Sequence, residues 1–592
     1  MAGATPAIGA AMSVSLDPSV PAPAPVGAPV TWTATVSDAS SGTLWYRFRT
    51  RLAGTEIPRV VRDYGPSNTL VWTASEHEGA YEIEVSVQNK ATAETAATAV
   101  IYQVTSCISG NTPVISETAN PLVFLYSAPA CPVGSRMRVE FEPANAFLAR
   151  IPRSVSAPNV DASIQNTPYK GCQPGQSMNF YLAGMRPNTE YSVKHIVETG
   201  SEFQDGPVLS LTTPDVSLPI AGYSVLMPPQ TPIRRGILLQ STVSQFTVAT
   251  DLYGNLVWFY PGNITYITRP APGGFFFLIA QKPSADASQQ ILREIDLAGT
   301  PILETNAARI NEQLLALGKR QITGFHHEVR RLPNGKILVL ASTEQILTDV
   351  QGPGPVDILG DMILVLDRDL QVVWTWDAFD HLDPHRPATL GETCTQIGGG
   401  CPPFFLAPRA NDWLHGNSLQ LTPDGNILYS IRHQDWVIKI DYSNGQGSGD
   451  IMWRLGKDGD FQINSSDPFP WFSHQHDAEY EFNNGWTLTV FDNGNLRYEM
   501  DPDAHSRGQV LRLDERNRVA DLVLNADLGA YSNALGSAQR LPNGRYHFDV
   551  GWIRGGNTSR SVEVDSSGSL VYSIQVATTE YRSFRMRDLY TP

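Results

Sequence analysis

Four short polar clusters carry the side chains of this 592-residue chain that could do chemistry. They are Phe325-His326-His327-Glu328; residues 412–418, with Asp412, His415 and Asn417; Ile431-Arg432-His433-Gln434; and residues 472–477, with His474 and His476. Imidazole titrates near physiological pH, so a nucleophilic neutral form and a proton-donating form are both within reach. A guanidinium beside it favours an anionic group, because its planar fork matches paired oxygens. Two chemistries follow. In one, His474 and His476 share a strand face and bind a metal, with Glu328 or Asp477 completing the shell. In the other, a neutral imidazole attacks an electrophile while neighbouring cations and Asn417 stabilise the oxygens that gain charge. A lone histidine in a strand is ordinarily structural, and Arg432 could pair with a surface carboxylate. His433 and His474 read best as supporting groups.

The clusters are far apart in sequence, so only a repeating architecture can unite them. From about residue 220 a phrase recurs: an Asp, a turn with Gly or Asn, then apolar residues often ending in Trp. It occupies residues 251–258, 296–299, 367–374, 441–453, 514–522 and 565–572, which implies six repeats. A second phrase sets a turn dipeptide between apolar runs at 332–340, 421–429, 482–490 and 541–547, with a weaker copy at 272–278. Such a pattern marks a hairpin. Hairpins of this period cannot bury both faces alone and must stack on one another. The expected fold is therefore all-β, with a six-bladed β-propeller over residues 220–592; the coils of a parallel β-helix are much shorter. Radial symmetry would bring His327, His415 and His476, each at a strand start in a successive repeat, to one axis.

Ahead of the repeats, residues 1–11 read as a disordered lead-in and residues 12–105 as a β-sandwich, since 30–36 and 81–87 alternate with period two. Residues 106–215 read as a second sandwich, whose stretch 182–193 resembles the late-strand signature of fibronectin type III domains. Neither holds a convergent reactive set, so both suit spacing or docking, and an exposed sandwich edge could serve a homo-oligomer. Charged residues are only 17%, against 48 Gly and 43 Pro, which fits many short strands and tight turns. A net charge of −16 argues against nucleic acid or an anionic membrane as partner, so attraction for any anionic substrate must be local. No run approaches the roughly 18 apolar residues of a membrane span. The opening residues lack the charged and apolar regions of a signal peptide, which fits either a cytoplasmic start or a start after a removed leader. The cysteines favour the second. Cys394 and Cys401 enclose a short Gly-rich segment that permits a disulfide, and Cys131–Cys172 or Cys107–Cys131 would leave one thiol over. Without a CxxC pair, zinc is not expected.

The joint occurrence of residues 412–418, 430–434 with 437–440, 453–456, and 475–478 ahead of 491–494 resembles bacterial arylsulfate sulfotransferases, over about 220–592. The resemblance implies a six-bladed propeller in agreement with the repeat count, and a periplasmic or secreted location. It implies a small-molecule aryl sulfate donor, a phenolic acceptor, and no cofactor, metal or nucleotide donor. His476 would be the nucleophile that is transiently sulfated in a ping-pong route. His327, His415, Arg432 and Asn417 would hold the sulfate oxygens and handle the phenolic proton, with His326 and His433 beside them. The choice of His327 over His326 rests on the acidic residue that follows it. Sulfuryl transfer, like phosphoryl transfer, spreads charge over peripheral oxygens, so positioning and electrostatics can carry it. The long N-terminal part departs from the family pattern. Two rivals stay open: a non-catalytic binding propeller, and a metal-dependent hydrolase using His474 and His476.

Overall fold

The computed structural model describes residues 11–592 apart from 56, 145–163, 231–235, 244, 263, 281–285, 397–399 and 483–484. Most of the expected lead-in, residues 1–10, lies outside the described residues. The all-β expectation holds: strands dominate, and the longest described helix, α1 (Ala307–Ala316), has 10 residues.

Several copies of each recurring phrase fold alike. Leu332, Thr422 and Leu541 each donate their backbone N–H to the carbonyl four residues on, at 2.8 Å in every case. Gly335, Gly425 and Gly544 sit inside these turns with φ of 81°, 82° and 81°, a left-handed conformation that glycine adopts without a Cβ penalty. In the other phrase the leading Asp is chosen for its side chain. Oδ1 of Asp251, Asp296, Asp367 and Asp565 accepts the N–H of the residue four positions on, at 2.9–3.0 Å. The carboxylate thus closes the turn that starts the next strand.

Between residues 237 and 586 the strands form six antiparallel four-stranded meanders, some with an added edge strand. Their leading strands are β1 (Tyr266–Ala271), β2 (Gly324–Arg331), β3 (Gly416–Leu421), β4 (His476–Phe482), β5 (Ser537–Arg540) and β6 (Glu580–Met586). β6 comes from the C-terminal end of the region but pairs with Ile237–Thr242, so one sheet is built from both ends. Successive leading strands touch from β1 to β6, and β6 touches β1. The contacts close a ring. Apolar clusters fill the gaps between its sheets, as where Leu340 and Trp376 meet Tyr429 and Ile438. Buried indoles also cross between sheets: Trp258 Nε1 donates to Leu297 O at 2.8 Å and Trp376 Nε1 to Gly449 O at 2.9 Å. Each such burial contributes roughly 1.5–3 kcal/mol, and each N–H keeps a partner.

Two smaller units precede the ring. In the first, Trp32, Phe48, Ile83 and Val85 lie between two sheets; in the second, Tyr126, Phe141 and Phe180 do. Disulfides join Cys131 to Cys172 and Cys394 to Cys401, leaving Cys107 as the free thiol. Nothing in the repeat pattern anticipates how the first unit meets the ring. Its strand Arg59–Gly65 pairs in parallel with Pro301–Asn306, so one sheet runs from the unit into the ring. Arg62 meets Glu304 at 2.9 Å, and Asn306 donates to Tyr64 O at 2.9 Å while its own oxygen caps α1. The second unit is held by Tyr590, whose hydroxyl accepts from Ala183 N at 3.0 Å and donates to Tyr181 O at 2.7 Å.

Candidate active site

Three leading strands break register where they begin. The shifts fall between Phe325 and Val329 in β2, Gly416 and Ser418 in β3, and His476 and Glu479 in β4. A bulge re-aims side chains out of simple alternation. His327, His415 and Asp477 accordingly take φ of 56°, 48° and 51°, in a left-handed region few non-glycine residues occupy. The result is a chain of touching imidazoles. Ring centroids lie 5.0 Å apart for His326 and His327, 4.9 Å for His327 and His415, and 4.8 Å for His415 and His433.

His476 is buried, with Nδ1 2.7 Å from Oδ1 of Asn493. Asn493 uses its Nδ2 to donate to Ser532 O at 2.9 Å and Leu535 O at 3.1 Å, so its oxygen must be the acceptor. The proton of His476 therefore sits on Nδ1, and the lone pair is left on Nε2. Burial holds this imidazole well below its ordinary value of 6.5, with help from Arg432, His415 and Arg582 and against the Asn493 hydrogen bond. At neutral pH it is uncharged.

Arg432 lies beside it. Nη2 donates to Asn533 O at 3.2 Å and Nη1 to Nε2 of His433. His433 donates through Nδ1 to Asp412 O at 2.6 Å, which leaves Nε2 as an acceptor. Burial, then Arg432, His415 and His474, hold His433 well below the usual histidine value. His433 thus orients the guanidinium without neutralising it. Arg432 makes no salt bridge among the described residues, its Nε has no partner, and burial lowers its pKa despite Glu392, Asp412 and Asp435 nearby. A desolvated cation without a matched carboxylate is suited to an incoming anion.

His415 is the most open of these imidazoles, and its Nδ1 lies 2.6 Å from Asp412 Oδ2. His327 is fixed through its backbone: Tyr266 accepts its N–H at 2.8 Å and Tyr581 donates to its carbonyl at 2.6 Å. Those two tyrosine rings stack with centroids 4.2 Å apart. Burial, then His415, His326 and His476, push the His327 imidazole well below its ordinary value.

Beneath the histidines, Arg269, Arg330 and Arg582 interlock with Glu328, Asp477 and Glu479. Arg269 meets Glu328 at 2.9 Å and Glu479 at 3.0 Å and also contacts Asp477; Arg582 meets Glu328 at 3.0 Å, and Arg330 meets Glu479 at 2.5 Å. Burial pushes the Glu328 and Asp477 carboxyls up, but Arg269 and Arg582 outweigh it and hold both below the ordinary carboxylate range.

Four of the residues expected from the sequence, His327, His415, Arg432 and His476, come together. The other three face protein groups. His326 turns to Asp361 at 3.0 Å and to His327 Nδ1 at 2.8 Å. His433 serves Arg432. Asn417 donates to Gln475 O at 2.7 Å and accepts from Asp477 N at 3.2 Å, so it ties β3 to the start of β4. The metal set of His474, His476, Glu328 and Asp477 does not assemble: His474 is held between Asp435, at 3.0 Å, and Glu392, and both carboxylates belong to the arginine network. Glu392, His433 and His474, and likewise Asp412, His415 and His433, do place donor atoms within 4.8 Å of one another. A metal there would have to displace the hydrogen bonds that orient Arg432 and His415. Sequence reasoning missed Asn493, Tyr266, Tyr581 and Arg582. Asn493 lay within a quoted motif with no role attached, and the pattern of β6 would have suggested Tyr581 and Arg582 once β6 was seen to close the ring; Tyr266 opens β1 and no motif marked it.

A family model described as Arylsulfotransferase (ASST) matches residues 198–585. The chain belongs to the arylsulfotransferase family. The match begins in the last strands of the second unit and runs through all six leading strands, so the first unit lies wholly outside it. No curated protein matches this arylsulfotransferase. Among solved structures, a cytokine receptor complex aligns at 13% identity with a TM-score of 0.13, over 34% of this chain and 98% of that one. A Salmonella alpha-2-macroglobulin reacted with methylamine aligns at 9% identity with a TM-score of 0.14, over 96% of this chain and 44% of that one. Superpositions this poor bear on neither fold nor function.

Proposed function

We propose that this arylsulfotransferase moves a sulfuryl group from an aryl sulfate to a phenol in two steps through His476, on a six-bladed β-propeller formed by the ring of sheets. The two units ahead of it are read as β-sandwiches. The observation that carries the reading is the pairing of His476, whose Nε2 lone pair is fixed by Asn493, with Arg432, a desolvated guanidinium that makes no salt bridge among the described residues.

In the first step Nε2 attacks sulfur, the sulfur–oxygen bond to the aryl group breaks, and the departing phenolate takes a proton from His415. Asp412 stabilises the imidazolium form of His415 before that transfer, as a carboxylate does behind a general acid–base histidine. In the second step His415 takes the proton of the acceptor phenol, whose oxygen attacks sulfur, and the nitrogen–sulfur bond breaks to restore neutral His476. Arg432 and His327 hold the peripheral oxygens, where charge builds up in a loose transition state. No step draws on a metal or a nucleotide. Tyr266 and Tyr581 offer aromatic surface beside His327. Two disulfides suit a periplasmic or secreted protein.

Intact-mass spectrometry after brief exposure to an aryl sulfate without acceptor tests this. A sulfuryl-sized adduct on His476, lost on adding a phenol and absent in His476→Ala, is expected. Turnover by His476→Ala at the normal rate would remove that residue from its role.

A further inference from the structure

Three carboxylates, Glu392, Asp412 and Asp435, act on Arg432 through their charge, yet none makes a salt bridge with it among the described residues. The gap is small. Glu392 Oε1 lies 3.9 Å from His433 Nε2, the atom that accepts from Arg432 Nη1. A guanidinium on a long stem so near ionised carboxylates would ordinarily close on one of them, because charge-assisted, forked pairing is the strongest it can make. The carboxylates must therefore be engaged elsewhere.

Each of them is. Asp412 meets His415 Nδ1 at 2.6 Å. The other two share one residue. His474, fully buried, directs Nδ1 at Asp435 Oδ1, 3.0 Å away, and Nε2 at Glu392 Oε1. Both oxygens are acceptors. The Asp435 oxygen also takes the backbone N–H of His474 at 2.6 Å, and although burial raises the Glu392 carboxyl, the hydrogen bond and charge of His474 outweigh it and hold it below its ordinary value. A neutral imidazole has a single N–H and cannot donate to both, so His474 carries a proton on each nitrogen and a positive charge.

Its neighbours give this cation a task. Asp435 caps the single helical turn Arg432–Gln434, the Glu392 carbonyl accepts the Asp412 N–H at 3.0 Å, and His474 stands two residues before His476. We propose that His474 is a positioning residue that engages Glu392 and Asp435 so that Arg432 stays unpaired and open to the sulfate oxygens. The inference rests on the assignment of Arg432 to those oxygens. It sets His474 apart from ordinary packing support, because the damage from losing His474 is undone by removing a carboxylate charge, without restoring any contact.

The test is the affinity of the full-length protein for inorganic sulfate, measured by isothermal titration calorimetry, which requires no sulfuryl transfer. In His474→Gln a neutral amide replaces the cation and cannot satisfy both carboxylates. Arg432 then turns to Glu392, and sulfate should bind about 10- to 100-fold more weakly, the worth of one or two charge-assisted hydrogen bonds. Adding Glu392→Gln should restore most of the affinity. A loss that persists or deepens in the double variant would assign His474 to packing and overturn the proposal, as would unchanged affinity in His474→Gln or a wild-type protein that binds no sulfate. Should the variant not fold, neutron diffraction of the wild type at neutral pH decides: deuterium on both ring nitrogens of His474 is expected, and deuterium on one alone overturns the proposal. Failure of the two-step reading would show separately, as a protein that follows this sulfate pattern yet forms no adduct on His476.

Discussion

Replacing Asn493 by Leu tests the origin of the nucleophile without touching His476. In the native site Nδ1–H has one acceptor, Asn493 Oδ1 at 2.7 Å, and that bond alone keeps the lone pair on Nε2. Leucine keeps the volume and removes the acceptor. A buried imidazole N–H left without a partner loses about 1–3 kcal/mol, and the ring can recover it by moving its proton to Nε2. At about 1.4 kcal/mol per tenfold, the reactive tautomer then falls by roughly 5- to 150-fold. The rate of adduct formation on His476, read by quenched-flow mass spectrometry, should fall by the same factor, while acceptor turnover of adduct already formed falls less. Loss of the bonds to Ser532 O and Leu535 O will lower stability as well, so the assay is run well below the unfolding midpoint of the variant, as set by circular dichroism. A folded Asn493→Leu enzyme that forms the adduct at the wild-type rate would show that the tautomer is fixed by something else, and the derivation of a nucleophilic Nε2 would fail.

Three further outcomes are expected. Arg432→Lys keeps the charge but loses the planar fork that His433 orients, and should slow the donor half-reaction by about 10²–10³-fold; a rate within a factor of about three would remove Arg432 from transition-state contact. Asp412→Asn weakens His415 as acid and base, so turnover should drop by about 10²-fold or more for poor leaving groups and much less for electron-poor phenols; equal losses across a leaving-group series would deny His415 the proton. For pH, burial holds His476 well below 6.5, so the nucleophile stays unprotonated as pH falls through that value. With a donor whose electron-poor phenolate departs without a proton, adduct formation should not fall as pH drops through 6.5, and a rate that drops with a midpoint there would mean that His476 is not desolvated.

The sequence makes the ring legible because its turns are local. An Asp that caps its own turn, or a Gly that must adopt positive φ, leaves its mark within a few residues, and six copies make the mark countable. Bringing His327, His415, Arg432 and His476 together follows from the same repetition. What escapes depends on contacts between distant segments. Arg59–Gly65 meets Pro301–Asn306 along one short parallel edge, and neither strand carries a residue that names the other. The choice between His326 and His327 turns on a bulge, since strict alternation would treat them as opposite faces of a regular strand. Asn493 was invisible as a tautomer lock because its role depends on which carbonyls its amide meets.

The charge balance of the site explains how so acidic a chain can attract an anion. At a net charge of −16 the long-range field repels a sulfate ester. Beneath the histidines, three guanidinium groups face three carboxylates, so that network builds a rigid floor but offers no net charge. The cation left over is Arg432, which is held by a neutral imidazole and a backbone carbonyl instead of a carboxylate. Attraction is thus confined to the few ångströms around one desolvated group, where screening by salt is weak. Donor binding should therefore depend little on ionic strength, in contrast to the steep dependence of an enzyme that gathers anions with an exposed basic surface.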